Sequence, residues 1–223
     1  MNKSVIDEYL VSLYFRLNGY ITTSLIIHSS EWGQTSTDID LIAIRHPYHK
    51  QDEREIEPSA FMQLPQDKSN KIDVIYCEIK NTPETLRFNA PIKSNPNNII
   101  KSLHWLGIIP PDEIESLSQE LIAMFRDDAR ISLASTGITC DRYNFRALLC
   151  CPNLNEVCEQ WALNSNEIFS FISKCLNPVE RRESCSTRYN FNQWGYITSN
   201  IVRYFKENNS PNIGDLYKTF GLE

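Results

Sequence analysis

The sequence predicts an α/β domain with a mixed central β-sheet flanked by helices. Short β-branched and aromatic runs at 20–28, 38–44, 73–79 and 143–151 read as strands. The run at 73–79 is apolar without alternation, the pattern of a strand covered on both faces. Stretches with helical spacing at 4–17, 112–127 and 192–206 carry buried stripes that would cover such a sheet.

The chain of 223 residues is long enough for one large domain. At this size a fold buries roughly 70 % of the surface its unfolded chain exposes, so it needs no staples. The formal net charge of −6 argues against a protein coated in positive potential. It leaves room for a local basic face, or for a partner that brings one. Seven cysteines without regular spacing fit reduced thiols in a cytosol rather than a disulfide framework. No apolar run approaches about 18 residues and no signal peptide is apparent, so the expectation is a cytoplasmic protein with no membrane partner.

Taken in order, Ser4 is the expected cap of a helix that runs to Leu17 and stops at Asn18-Gly19. Its stripe is Val5/Ile6, Tyr9/Leu10, Leu13 and Leu17, and Glu8 lies off it. The strand 20–28 leads through a polar turn to the strand 38–44. Strict alternation there places Asp38 and Asp40 on the face of Ile42 and Ile44. The polar stretch 46–71 exceeds a plain connection and is either a loop at the site or an inserted element, such as an extra hairpin. After the strand 73–80, residues 81–98 are rich in Asn and Pro, fit a substrate-facing loop, and hold Lys93 near their end.

Pro110-Pro111-Asp112 opens the next helix, with Asp112 as its cap. Six acids against one base between Asp112 and Asp128 would repel a phosphate backbone. Strands are expected at 130–135 and 143–151. Helices are expected at 155–163, from Ser165 or Asn166 to 176, and at 192–206. The core is thus placed at 1–151, with a helical C-terminal part at 152–223 packed on the same domain. Between Phe171 and Glu223 seven Lys/Arg face five Asp/Glu. Arg181, Arg182 and Arg188 in that part are the preferred phosphate contacts. Trp194, Tyr196 and Tyr204 are explained by core packing.

The charges that end the apolar strand, Glu78 and Lys80, stand two residues apart with Ile79 between them. At strand period both leave the same face, roughly 6–7 Å apart. Packing gives no reason for this ending. A carboxylate for a divalent cation, with an ammonium beside it, does.

The order of helix with Glu8, strand, strand entering through Asp40, and strand ending in Glu78-Ile79-Lys80 resembles the core of the PD-(D/E)XK nuclease superfamily, the restriction-endonuclease-like fold. Glu8 followed by Gly19-Tyr20 looks like the helix-borne acid ahead of a Gly-Tyr turn. Asp38-Ile39-Asp40-Leu41-Ile42-Ala43 is similar to the segment whose second acid binds metal, and Glu78-Ile79-Lys80 matches the Glu-x-Lys half of the signature. The likeness covers about the first 80 residues. Asp38 stands where relatives often carry Glu, no proline precedes Asp40, and the stretch 46–71 is longer than a tight hairpin.

The resemblance implies a nuclease core at 1–151 and metal-dependent hydrolysis of DNA phosphodiesters. Asp40, Glu78, Glu8 and the Ile79 carbonyl would hold Mg²⁺ or Mn²⁺, and Lys80 would position water and balance charge. Asp38, Lys93, Arg181, Arg182 and Arg188 would meet the nucleic acid. It also suggests restriction or anti-phage defence. An acidic chain acting on DNA implies a homo-oligomer or a partner subunit. The competing readings are a catalytically silent binding or scaffold subunit and a nuclease acting on RNA.

Overall fold

The computed structural model describes residues 1–50, 56–126, 130–155, 162–177 and 194–223. Helix α1 (Lys3–Leu17) leads into strands β1 (Ile21–His28), β2 (Thr35–Arg45) and β3 (Ile72–Ile79). Helices α2 (Ala90–Ser94), α3 (Pro96–Leu106), α4 (Ile114–Leu121) and α5 (Arg130–Ser135) follow, then strands β4 (Ile138–Cys140), β5 (Tyr143–Cys151) and β6 (Ala162–Asn164). Helices α6 (Ser165–Leu176), α7 (Tyr196–Glu207) and α8 (Ile213–Thr219) complete the chain.

The six strands form one mixed sheet in the order β1-β2-β3-β5-β4, with β6 also on β5. The β1–β2–β3 meander is antiparallel, whereas β3 and β5 run parallel over the full length of β3. Parallel neighbours need a crossover, and α2 to α5 supply it. On one face α1, α6, α7 and α8 bury Leu10, Phe15, Ile172 and Phe205 against Leu41, Ala43, Ile75 and Cys77. On the other, α2, α3 and α4 bury Ile92, Ile99, Leu103 and Leu117 against Ile42, Val74 and Tyr76. The unalternated run in β3 therefore serves two cores at once, as a strand covered on both sides must.

Helix α1 ends as its sequence requires, with Asn18 at the cap and Gly19 at φ +86°. Its start is capped by the Asn2 side chain on the Val5 amide rather than by Ser4. Tyr9, expected inside, is 41 % exposed, while Val11, Tyr14 and Phe15 are buried. The cause is tertiary: α1 lies between the sheet and the helices α6 and α7, so its buried face is broader than one stripe.

Several expected elements come out differently. Residues 130–135 form a helix and not a strand, because six residues are too few for periodicity to decide. The turn after it is closed by the Gly137 amide on Leu133 O, with Gly137 at φ +68°. A Cβ there would sit 2.4 Å from the Phe145 carbonyl oxygen, so only glycine allows the helix to return to β5. Residues 96–98, read as part of the polar loop, begin α3, with Pro96 in its first turn and the Asn95 side chain on the Asn97 amide. Asp112 does not cap α4, whose N-terminus has no side-chain cap. The stretch 155–163 falls largely on residues 156–161, outside the described residues, and Ala162 and Leu163 belong to β6. Helix α8 was not anticipated.

The long segment after β2 lies at the end of the sheet where Arg45 pairs with Asp73. That is the far end of both strands from Asp40 and Glu78, so the segment does not bear on that end. Its described part holds two short 3₁₀ turns, Ala60–Met62 and Gln66–Lys68, and is anchored by the buried Met62.

Candidate active site

The pairing of β2 with β3 ends at Leu41 opposite Cys77, so Asp40 and Glu78 are the first residues beyond the point where the strands part. Strand β3 stays bound on its other side, through Ile79 opposite Cys150 and the Lys80 amide on Cys150 O at 2.8 Å. The Ile79 N–H, released from the ladder, is accepted by Asp40 Oδ2 at 2.7 Å. One side chain thus replaces a missing strand and fixes both carboxylates at the mouth of the split.

A β-bulge sets where Asp40 points. Thr23 pairs with Ile42 and Leu25 with Ile39, so Asp40 and Leu41 together oppose Ser24. Ile39 and Ile42 consequently pack into the same core although three residues apart, and Leu41 and Ala43 into the other. The expectation that Asp38 and Asp40 share a face with Ile42 and Ile44 is therefore corrected. The inserted residue breaks the alternation, so Asp38 and Asp40 do not continue the row of Ile42 and Ile44, and the charges of both act on Glu8 of α1.

Glu78 is 4 % exposed and lies beside Phe88, Ile92 and Phe125 around a cavity of about 10 Å³. That is room for about one water. Lys80 Nζ contacts Glu78 Oε1, so the two charges do share a face, and it donates to Asn89 Oδ1 at 3.0 Å. Burial raises the Glu78 carboxyl to about 7; the Lys80 contact opposes this, while Asp40 and Asp38 add to it. Asp40 is raised chiefly by burial, against the Ile79 amide, with Asp38 again raising it. Glu8, half-buried on α1, is raised by burial and then by the charges of Asp40, Asp38 and Asp7. For all three acids burial is the first cause of the rise and a neighbouring carboxylate adds to it, a pattern shared by many functional sites.

Among the described residues no three His, Cys, Asp or Glu side chains are grouped to hold a metal ion, so Glu8 does not close into a three-carboxylate cluster with Asp40 and Glu78. The pair by itself still suits a hard cation. Asp40 commits Oδ2 to Ile79 and Glu78 commits Oε1 to Lys80, which leaves Oδ1 and Oε2. Mg²⁺ is commonly held by one or two carboxylates with water completing its shell.

Asp38 is exposed on β2 at this end. Lys93, half-buried in α2, stands one helical turn after Asn89. Arg181, Arg182 and Arg188 lie outside the described residues.

One neighbouring group escapes a reading of the sequence. Asp7 is fully buried, accepts from Tyr217 Oη at 2.6 Å and Asn81 Nδ2 at 2.7 Å, and is raised to about 6 by burial against those bonds. Asn153 donates to Tyr217 Oη at 2.8 Å and to Asn81 O at 2.8 Å. The network ties α8 to the residue that follows Lys80. The signal was an acid within the apolar spacing of Ile6, Leu10, Val11 and Tyr14.

Comparison of the chain with known proteins finds no matching family model, curated protein or solved structure. Among the described residues no helix is long and apolar enough to cross a membrane.

Proposed function

We propose that this chain is a metal-dependent endonuclease of the restriction-endonuclease-like kind that hydrolyses DNA phosphodiester bonds. The observation that carries the proposal is the convergence of Asp40, Glu78 and Lys80 where β2 and β3 part, with the Ile79 amide fixing Asp40. Supporting it are the meander β1–β2–β3 behind α1 and the parallel β5 beside β3, an arrangement in keeping with the likeness drawn from the sequence.

Asp40 and Glu78 would hold Mg²⁺ or Mn²⁺, with the Ile79 carbonyl as the third hard oxygen that the resemblance implies. When bound, such an ion polarises the scissile phosphate and lowers the pKa of an attacking water. Asn89 and Glu78 hold the Lys80 ammonium at the edge of the site, where it orients that water and offsets the negative charge that develops on the phosphate. Phe88 and Phe125 make the Glu78 side of the site apolar, which strengthens each of these interactions. The net charge of −6 makes a second copy or a basic partner subunit a natural part of DNA capture.

The test is cleavage of supercoiled plasmid with Mg²⁺, with Mn²⁺ and with EDTA, alongside Asp40→Ala and Lys80→Ala. Metal-dependent cleavage lost in both folded variants is the expected result. Wild-type protein that neither cleaves nor binds Mn²⁺ by calorimetry would overturn the reading; cleavage of RNA alone would redirect it.

A further inference from the structure

The two margins of the sheet are built differently. Past β5 the sheet ends in β4 and β6, which hold three residues each. The other margin is β1, eight residues long and without a lysine, arginine, acid or proline. Edge strands are commonly guarded by such residues or kept short, because their free N–H and C=O groups template a further strand. Among the described residues no backbone group bonds to β1 from the side away from β2. Ile21 on this strand is 70 % exposed and Ile26 is 59 % exposed.

Apolar side chains flank this edge on both faces. Leu25 and Ile27 belong to the core beneath α3, so alternation sends Thr22, Ser24 and Ile26 to the α1 side, where Thr22 bonds to Ser12. Tyr9, one turn before Ser12 on α1, is exposed. On the α3 side, Lys101 Nζ meets the His28 carbonyl at 2.8 Å. Trp105, one turn further along the same face of α3, is also exposed.

We propose that the free edge of β1 binds a second copy of this chain, by antiparallel β1–β1 pairing about a two-fold axis at Ser24. Ser24 is the middle of the regular stretch 21–27, so this register uses all of it. Ile21 then faces Ile27 of the second copy, Thr22 faces its Ile26, and Thr23 faces its Leu25. Aliphatic and β-branched cross-strand pairs of this kind are stabilising, and the two-fold makes each of them twice. The strand is complementary to itself and brings no like charges together, whereas a net charge of −6 works against association over the rest of the surface. Asp40 and Leu41 oppose Ser24 on β2, so the axis sets the two copies of Asp40 three strand spacings apart, about 14 Å, on one joined sheet. That is close to the width of a DNA major groove, roughly 12 Å. This last consequence rests on the nuclease reading; the interface does not.

The test is sedimentation velocity of the full chain in EDTA, with cross-linking of Ser24→Cys under oxidised glutathione. An interface of one strand pair with its flanks is small, so wild type is expected to pass from monomer to dimer between about 1 and 100 μM. Ile26→Lys should weaken association about 10-fold or more, with thermal unfolding unchanged. Ser24→Cys should give a disulfide-linked dimer beyond the wild-type level, and Ile21→Cys, whose two copies lie about 20 Å apart in this register, should not. If Ile26→Lys does not fold, the two cysteine variants decide. A wild type that stays monomeric, a dimer that Ile26→Lys leaves intact, or no preference of the cross-link for Ser24→Cys overturns the proposal. A dimer that Ile26→Lys disrupts, without metal-dependent cleavage, keeps the interface and removes the nuclease. Metal-dependent cleavage by a protein that is monomeric throughout does the reverse.

Discussion

Strand β3 carries a buried carboxylate at each end, and the two are treated in opposite ways. Asp73 accepts from Arg146 Nε at 3.0 Å, Arg146 Nη2 at 2.5 Å and Tyr20 Oη at 2.5 Å, and all three residues are inaccessible to water. Glu78 has one ammonium as its partner, on a Lys80 side chain still 19 % exposed, and faces the like charges of Asp40 and Asp38. The first acid is neutralised by a planar fork that satisfies both oxygens, an arrangement that ties β3 to β5 and to the turn between α1 and β1. The second is left short of positive charge. A fold keeps such an acid only at some cost in stability, and that imbalance separates a candidate working carboxylate from a structural one.

The widest gap should appear when each pair loses its cation. Arg146→Ala strands Asp73 in the core and is expected to cost about 3–5 kcal/mol, read as a lower midpoint in urea or as failure to fold. Lys80→Ala should cost less than about 1 kcal/mol, because the Glu78 carboxyl takes up a proton instead. Equal losses would erase the distinction.

The pH dependence sharpens the same contrast. Folded Glu78 keeps its proton up to about pH 7, whereas its ordinary value is 4.5. Folding therefore binds a proton between those values, and this group's contribution to stability falls as pH rises through that window. Above pH 7, Glu78→Gln is expected to stabilise the protein on the order of 1–3 kcal/mol, with no difference at pH 4, by thermal or denaturant unfolding at both pH values. The gain should come with loss of metal-dependent cleavage.

If a cation supplies what Glu78 lacks, Mn²⁺ must displace its proton. Calorimetry should show apparent affinity rising as pH climbs to about 7 and levelling above it, with binding absent in Asp40→Ala. A flat profile would mean that Glu78 is not a ligand.

The neighbouring network, away from β3, gives a last point of comparison. Tyr217→Phe removes the hydroxyl that Asp7 and Asn153 share and should cost about 1–3 kcal/mol. Asp7→Asn should offset part of that loss above pH 6, where the Asp7 carboxylate is buried and charged.

Much of this contrast could be read before the fold. The Glu78-Ile79-Lys80 ending stood out because an apolar strand has no packing use for two charges. Asp73 and Arg146 gave no such signal, since each is a single charge in an apolar strand. They lie 73 residues apart and meet only because β3 and β5 are parallel neighbours. Asp7 was hidden in the same way, its partner Tyr217 being 210 positions away on a helix that the sequence did not announce.

The sequence by itself determined the strands β1, β2, β3 and β5, the helix α1 with its Asn18-Gly19 stop, and the candidacy of Asp40, Glu78 and Lys80. These follow from local periodicity and from charges placed where burial forbids them. Only the tertiary structure decided that the segment after β2 lies at the end of the sheet away from those residues, and that 130–135 is a helix. It also set the side of β2 from which Asp40 leaves. That last point turns on Asp40 and Leu41 sharing Ser24 as their opposite, a mismatch in register between two strands. Register belongs to a pair of strands, and no single strand can show it.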